Sequence, residues 1–230
     1  MKNLKQYLLP LFQKYKHGLL LSYVFIYLTW FGWLEQKVTT NFHIIHMDID
    51  DHIPFIEVFI VPYLLWFLYV AVVVMIQFFK DVPAYYKNCA FLFTGMTIFL
   101  IVSTIYPNGH LLRPASLESD TIFAAMIEGL WKADTSTNLF PSIHVYNSIA
   151  THIAVCHTNG LKHKKWVVIP SFILMLSICC ATVFLKQHSM FDVITALILA
   201  FVMYEIVYKA DWNAIMAKRR ERQKEKALNY

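Results

Sequence analysis

Long apolar blocks separated by short polar segments constrain this chain more than any other feature of its sequence. A helix needs about 20 predominantly apolar residues to cross a bilayer, and several blocks reach that length. Hydrophobic residues make up 58% of the 230 residues and charged residues 15%, whereas soluble domains carry about 25% charged residues. The sequence therefore predicts an all-α membrane protein whose core forms between transmembrane helices.

The apolar blocks predict a bundle of six transmembrane helices. The predicted spans are 18–34, 54–79, 89–106, 141–157, 166–185 and 190–208. The fourth is the least apolar, because His144, Asn147, Ser148 and Thr151 recur at three- and four-residue steps. Such a polar stripe is expected to face the interior of the bundle or a cavity.

Segments outside the spans complete a three-part organisation. Residues 1–17 mix lysine with apolar side chains, and Pro10 is expected to interrupt any helix there, so a cytoplasmic amphipathic segment on the membrane surface is predicted. Residues 18–209 form the membrane domain, and residues 210–230 form a basic cytoplasmic tail. Between the third and fourth spans, residues 106–140 form a long outer loop, in which residues 121–130 are predicted to be a short surface helix.

The basic residues indicate orientation rather than nucleic-acid binding. The net charge is +5, but 16 of the 20 Lys and Arg residues lie in the two termini, in the loop between the second and third spans, and in the loop between the fourth and fifth spans. By the positive-inside rule the termini are cytoplasmic. The sequence predicts a multi-pass protein of the plasma (inner) membrane, with no nucleic-acid partner and no indication of its oligomeric state.

The loop between the first two spans carries a run of histidines and aspartates, which makes metal binding a possibility to consider. The run comprises His43, His46, Asp48, Asp50, Asp51 and His52. Its spacing matches no compact metal site, so a solvated loop or a re-entrant flap is the favoured interpretation. No metal ion and no other cofactor is predicted.

A histidine and an aspartate at the start of the sixth span predict an imidazole that is suited to act as a nucleophile or a metal ligand. Residues four apart lie on one face of a helix, so Asp192 can reach one ring nitrogen of His188 and leave the other electron-rich. A carboxylate at the edge of an apolar span also needs a partner, because an unpaired charge there is costly. The simpler interpretation, a pair that only caps a helix, remains open for these two residues taken alone.

The start of the fourth span predicts an anion site at the same membrane face. Pro141 suits the first position of a helix, and the N–H groups that follow, beginning with Ser142, are expected to be free to bind phosphate. His144 lies close enough to protonate an oxygen that leaves the phosphorus. In the outer loop, Arg113 offers a planar group that can hold two phosphoryl oxygens. An ordinary N-cap, a packed histidine and an inert loop arginine are the simpler interpretations of these residues.

Three segments taken in order resemble the phosphatidic acid phosphatase type 2 superfamily. They are Arg113-Pro114, Pro141-Ser142-x-His144 and His188-x-x-x-Asp192. The resemblance covers about residues 106–208, and it implies a six-helix membrane enzyme with a metal-independent active site on the outer side. It further implies a lipid phosphate or a phospholipid as the substrate.

The resemblance assigns a role to each matching residue. His188 corresponds to the nucleophile that forms a phosphohistidine, Asp192 to the residue that orients it, and His144 to the general acid. Arg113 and Ser142 correspond to phosphate-binding residues.

Two departures from the family pattern remove positive charge. Tyr106 stands where the family has a lysine seven residues before the arginine, and Thr182 stands where it has an arginine six residues before the nucleophile. Lys186 and His110 are the candidates to replace them in binding phosphate. The loss of positive charge argues against a diphosphate substrate. The resulting pattern is similar to that of the sphingomyelin and inositol-phosphorylceramide synthases, a branch of the family in which the cationic motifs also diverge.

The sequence therefore leaves alternative functions open. The leading one is a lipid phosphatase or phosphotransferase that acts at the outer leaflet through phosphohistidine. A related alternative is a headgroup transferase, which passes a phospho-alcohol from a phospholipid to a lipid alcohol. A lipid transporter or scramblase and a non-catalytic membrane subunit are the alternatives from other classes, although no internal symmetry supports a transporter.

Overall fold

The computed structural model describes residues 4–38, 40–117 and 119–211, and most of these are helical. The α-helices are α1 (Leu4–Tyr15), α2 (Tyr23–Lys37), α3 (Asp48–His52), α4 (Ile60–Lys80), α5 (Val82–Ile105), α6 (Ile122–Ala133), α7 (Ile143–His157), α8 (Lys165–Phe184) and α9 (Met190–Tyr204). The 3₁₀ helices Lys16–Ser22 and Glu57–Phe59 precede α2 and α4, and a π-helix, Glu205–Lys209, follows α9. Two short strands, β1 (His43–Ile44) and β2 (Asn108–Gly109), pair in parallel. The predicted tail lies almost wholly outside the described residues.

Five helical segments of the described chain are long and apolar enough to cross a membrane. They are Pro10–Lys37, Glu57–Lys80, Val82–Ile105, Lys165–Phe184 and Met190–Lys209. They correspond to the first, second, third, fifth and sixth predicted spans. Helix α7, the predicted fourth span, has 15 residues and is therefore about 22 Å long, shorter than a hydrocarbon core of about 30 Å.

Two sequence-based predictions about the helices are wrong, one on the effect of Pro10 and one on the start of the third span. Pro10 does not interrupt α1, since a helix in an apolar environment can lose one backbone hydrogen bond without breaking. The third span begins at Val82 rather than at residue 89, because Asp81 caps it by accepting the N–H of Ala84 at 3.2 Å and Pro83 lies in its first turn. The polar Asn88 is tolerated inside this helix because it donates to Gln77 Oε1 at 2.7 Å.

Helix α7 is the centre of the bundle and packs against α4, α5, α8 and α9. Its close contact with α5 requires a glycine, since a Cβ atom at Gly95 would lie 2.0 Å from Cε1 of Tyr146. The Tyr146 hydroxyl also donates to the carbonyl oxygen of Phe91 at 2.8 Å. The predicted inward orientation of the polar stripe is confirmed, because Asn147, Ser148 and Thr151 are all buried.

At the end of the bundle where α7 begins, the helices are joined by ordered loops. The two strands align His43 with Asn108 and Ile44 with Gly109, which connects the loop after α2 to the loop after α5. The Glu35 carboxylate, at the end of α2, accepts from Thr135 Oγ1 at 2.6 Å and from other groups of the segment after α6. Helix α6 confirms the predicted surface helix. The outer loop is therefore fixed against the bundle above α7.

Candidate active site

His188 and Asp192 form the predicted pair. Nδ1 of His188 lies 3.2 Å from Oδ2 of Asp192, which also accepts the N–H of Ser189 at 3.1 Å. A carboxylate oxygen accepts hydrogen bonds, so this contact places the hydrogen on Nδ1 and leaves the lone pair of Nε2 free. Burial lowers the pKa of His188, and the charge of Arg113 lowers it further. The imidazole is thus held neutral, as a nucleophile must be.

His144 faces His188 across the site. The centroids of the two imidazole rings lie 5.7 Å apart. The ring of His144 packs between Tyr63 and Trp66, whose ring centroids lie at 4.5 Å and 4.4 Å. Its Nδ1 is buried, and no described group forms a hydrogen bond with it. The structure therefore brings together the two histidines that the sequence separates by 44 positions.

The predicted phosphate cradle at the start of α7 is only partly correct. Pro141 precedes the helix instead of opening it, and Ser142 is the N-cap, with Oγ accepting the N–H of Val145 at 3.4 Å. The Ser142 N–H is not free, as it donates to the carbonyl oxygen of Asp192 at 3.3 Å. This contact ties the start of α7 to α9 and helps to bring the histidines together. The phosphate-binding role of Ser142 stays a prediction.

Arg113 is partly buried beside the loop that carries His188. Nη1 donates to the carbonyl oxygen of Asp134 at 2.7 Å, and Nη2 donates to that of Thr135 at 3.0 Å and to Oε1 of Gln187 at 2.7 Å. Gln187 immediately precedes His188 in the chain. The arginine is therefore anchored by backbone oxygens and reaches the site through the Gln187 side chain.

The two candidate replacement cations have protein partners. Both ring nitrogens of His110 are engaged: Nδ1 accepts the N–H of Leu112 at 3.2 Å, and Nε2 lies 2.9 Å from the carbonyl oxygen of Gln187. Burial lowers the pKa of His110 to about 4. Lys186 donates from Nζ to the carbonyl oxygen of Asp50 at 2.5 Å. Their binding of phosphate stays a prediction, and a neutral His110 would contribute a hydrogen bond rather than a charge.

The two positions where the family carries cations have other structural roles here. Tyr106 is 44% exposed, and its ring stacks on that of His43 with centroids 4.2 Å apart. Thr182 is buried in the last turn of α8, where its carbonyl oxygen accepts the N–H groups of Gln187 and His188 at 2.9 Å and 3.0 Å. Thr182 thus holds the backbone of His188.

Sequence reasoning missed Asp50, which was grouped with a solvated loop. Its carboxylate is buried and accepts from Ser189 Oγ at 2.5 Å and from the N–H groups of Met190 and Met47 at 2.8 Å. Asp51, its neighbour, instead faces solvent and pairs with His46 at 3.0 Å. Asp50 therefore fastens the loop between α2 and α4 to the start of α9, beside His188. No group of three potential metal-binding side chains is found among the described residues.

Comparison with known proteins identifies the family. A family model, that of the PAP2 superfamily, matches residues 111–216. This part of the chain belongs to the PAP2 superfamily. The matched region contains all three motifs, and membership indicates phosphatase or phosphotransferase activity. Together with five helices that can cross a membrane, it indicates an integral membrane protein. No curated protein and no solved structure matches the chain significantly.

Proposed function

We propose that this PAP2 protein cleaves or transfers a phosphoryl group of a lipid at the outer face of the membrane, through a phosphohistidine at His188. The observation that carries the proposal is the arrangement of three side chains. Asp192 fixes the tautomer of His188, and the ring of His144 lies 5.7 Å from that of His188. The spacing is wide enough for one phosphoryl group to contact both histidines.

In the first step, the lone pair of His188 Nε2 attacks the phosphorus. A P–N bond forms while the P–O bond to the leaving group breaks. His144 donates a proton to the leaving oxygen from the opposite side. Asp192 keeps the Nδ1 hydrogen in place and stabilises the positive charge that develops on the imidazole, as a carboxylate does for a catalytic histidine elsewhere.

In the second step, an oxygen nucleophile releases the phosphoryl group. His144, now neutral, accepts a proton from the attacking hydroxyl while the new P–O bond forms and the P–N bond breaks. Water as the attacking group gives a phosphatase, and a lipid alcohol gives a transferase. Both outcomes use the same residues, so the acceptor is decided by what reaches the site.

A headgroup transferase is the second candidate, and the positions that lack cations favour it. The ring of Tyr106 stacks on that of His43, and the carbonyl oxygen of Thr182 accepts the N–H groups of Gln187 and His188. A site with few cations is better suited to a phosphodiester, which carries one negative charge, than to a diphosphate.

The six-span topology and the orientation belong to the same proposal. With α7 counted as the fourth span, both termini are cytoplasmic and the histidines lie at the outer face, in agreement with the positive-inside distribution of Lys and Arg. Helix α7 is short for a span, but it is enclosed by the longer helices α4, α5 and α8 and by α9, which a π-helix extends. Its ends therefore do not have to reach the bilayer surface by themselves.

The proposal is tested with purified protein in detergent and EDTA. Phosphatidate, a polyprenyl diphosphate, and a phospholipid combined with ceramide or diacylglycerol are offered as substrates, and free phosphate and lipid products are both followed. Wild type is compared with His188→Ala and with His163→Ala, an exposed histidine on the loop before α8 that serves as the matched control.

Loss of turnover in His188→Ala but not in His163→Ala is the expected result. Free phosphate identifies a phosphatase, and a new lipid bearing the headgroup without free phosphate identifies a transferase. Equal turnover in all three proteins, or no turnover by well-folded wild type on any substrate, would refute the proposal and leave the transporter and non-catalytic alternatives.

A further inference from the structure

The carboxylate of Asp134 lies next to the candidate phosphate-binding arginine, in the segment that follows α6. Its Oδ2 is 3.9 Å from Nη2 of Arg113, which is too far for a hydrogen bond but close enough for an ion pair. The Asp134 side chain is 27% exposed and that of Arg113 is 13% exposed. Within the described chain, no group donates a hydrogen bond to either carboxylate oxygen of Asp134. This charge is therefore partly buried, accessible to a ligand and not used by a hydrogen bond.

A neighbouring carboxylate shows what a purely structural role requires in this part of the molecule. The Glu35 carboxylate accepts from the N–H and Oγ1 of Thr135 at 3.2 Å and 2.6 Å, and from Nδ2 of Asn138 at 2.9 Å. These contacts tie the end of α2 to the segment after α6. Asp134 makes no such contacts through its side chain, although partial burial of a carboxylate without hydrogen bonds is costly. The fold alone therefore does not account for the Asp134 carboxylate.

Asp134 is connected to the candidate active site through one nitrogen of Arg113. Nη2, which forms the ion pair with Asp134, also donates to Oε1 of Gln187 at 2.7 Å. A phosphoryl oxygen that replaces this amide oxygen would therefore be within Coulombic range of the carboxylate. Tyr63 provides a second connection, since it lies within electrostatic range of Asp134 and its ring stacks on that of His144 with centroids 4.5 Å apart. The carboxylate thus lies at the edge of the site where phosphate is expected to bind.

The charge of this carboxylate distinguishes between classes of phosphate ester. Burial raises the pKa of Asp134 to about 6, against the opposing effect of Arg113, so the carboxylate is ionised at about pH 7.5. At that pH a phosphate monoester carries about two negative charges and a phosphodiester about one. At a separation of about 7 Å and an effective dielectric constant of about 20 to 80, each unit of charge changes the affinity about 3- to 50-fold.

We propose that Asp134 is a specificity-determining residue that weakens the binding of phosphate monoesters relative to phosphodiesters at the Arg113 site. Its carboxylate repels the second negative charge of a monoester, while Arg113 still attracts the single charge that both esters share. The inference rests on the proposed function for the position of the phosphoryl group. It narrows the substrate class to lipids that carry one negative charge on phosphorus.

The test compares two lipids that differ in the charge on phosphorus. They are dioctanoyl phosphatidate, a monoester, and its methyl ester, dioctanoyl phosphatidylmethanol, a diester. Consumption of each lipid is followed at about pH 7.5, and kcat/KM is measured for both. Asp134→Asn keeps the size of the side chain and removes its charge. It is expected to raise the ratio of kcat/KM for the monoester to that for the diester by about fivefold or more, because solvent screens the interaction only in part.

Glu128→Gln is the matched control, because it removes the same charge from an exposed position on α6. Its ratio is expected to stay within about twofold of that of wild type. Asp134→Glu keeps the charge and is expected to keep the wild-type ratio, which separates the effect of charge from that of packing. Asp134→Ala is a second neutral variant, so either neutral variant that folds suffices. An unchanged ratio in a folded neutral variant, or an equal rise in Asp134→Glu, would overturn the inference while leaving the proposed function intact.

A binding measurement separates this inference from the proposed chemistry. The thermal unfolding midpoint is recorded against increasing concentrations of phenyl phosphate, a monoester, and methyl phenyl phosphate, a diester, since a ligand that binds the folded state raises the midpoint. Asp134→Asn is expected to lower the concentration required of the monoester about fivefold more than that of the diester. This result in a protein that turns over no lipid phosphate would support the role of Asp134 and refute the proposed chemistry. Equal effects of the substitution on the two ligands would count against Asp134 whatever the turnover.

Discussion

Replacing Asp50 with alanine is expected to slow the chemical step without weakening substrate binding. The buried carboxylate accepts from Ser189 Oγ at 2.5 Å and from the Met190 N–H at 2.8 Å. These donors immediately follow His188 in the chain. Alanine leaves them without their acceptor, and it also releases the loop between α2 and α4 from the start of α9.

The size of the effect follows from the number and burial of these contacts. A buried donor left unpaired costs about 1–3 kcal/mol, but water that enters the space vacated by the carboxylate recovers part of this. A loss of about 2 kcal/mol in positioning the loop corresponds to a fall in kcat of about 30-fold, at 1.36 kcal/mol for each factor of ten. KM is expected to stay the same or to fall, because the substitution removes a negative charge close to a phosphate site.

The assay measures kcat and KM separately, at a temperature well below the unfolding midpoint of each variant. Asp51→Ala is the matched control, since its side chain is 64% exposed and contacts His46 rather than α9; its kcat is expected to stay within about twofold, as for most surface substitutions. Asp50→Asn keeps one acceptor oxygen, so its kcat is expected to lie between those of Asp50→Ala and Asp51→Ala. A folded Asp50→Ala protein with wild-type kcat would show that Asp50 does not position the nucleophile.

Two further predictions follow from the same site. Asp192→Ala removes the oxygen that accepts from both His188 Nδ1 and the Ser189 N–H, so the imidazole loses the contact that fixes its tautomer and orientation, and kcat is expected to fall at least about 100-fold with the fold retained; a smaller loss in a folded protein would refute the orienting role of Asp192. His110 titrates at about 4 in the folded protein, well below its ordinary value of about 6.5. As the pH falls below 6.5 the unfolded chain takes up a proton first, so stability is lost between pH 6.5 and 4. The thermal unfolding midpoint should therefore fall less steeply over that window in His110→Gln than in wild type, and identical slopes would contradict the assignment.

The features of the fold and the site that could be predicted are those that depend on short-range patterns along the sequence. Apolar blocks of membrane length located five spans. The four-residue spacing predicted that His188 contacts Asp192, although His188 precedes α9 and the contact accompanies the capping of this helix by Ser189 and Asp192 rather than a shared helix face. The polar steps in the fourth block predicted which face of α7 is buried, because helical periodicity does not depend on the neighbouring helices. The ion pair between Glu205 and Lys209, at 3.5 Å, also follows from spacing alone.

The parts that were not predictable depend on contacts across the chain. Asp50 lies 139 positions before Ser189, and its acidic neighbourhood is typical of a solvated loop, so no local signal separates it from Asp51. A helix start normally offers free N–H groups, but the Ser142 N–H is occupied by the carbonyl oxygen of Asp192. In both cases tertiary packing uses a group that local reasoning assigns to solvent or to a ligand.

The contacts of Arg113 indicate how a site with few cations can still bind a phosphoryl group. Two of its partners are backbone oxygens, those of Asp134 and Thr135, which fix the guanidinium in place. The third, Gln187 Oε1, belongs to a side chain that can rotate about its own bonds. A phosphoryl oxygen carries more negative charge than an amide oxygen, so it forms the stronger hydrogen bond with arginine and can displace it. Because Gln187 directly precedes His188, this exchange would bring one phosphoryl oxygen to the nucleophile. Arg113 also forms an ion pair with the Asp134 carboxylate at 3.9 Å, which reduces the positive charge that it offers to a ligand. The site therefore suits a phosphodiester with a single charge better than a diphosphate, and the same conclusion follows from Tyr106 and Thr182.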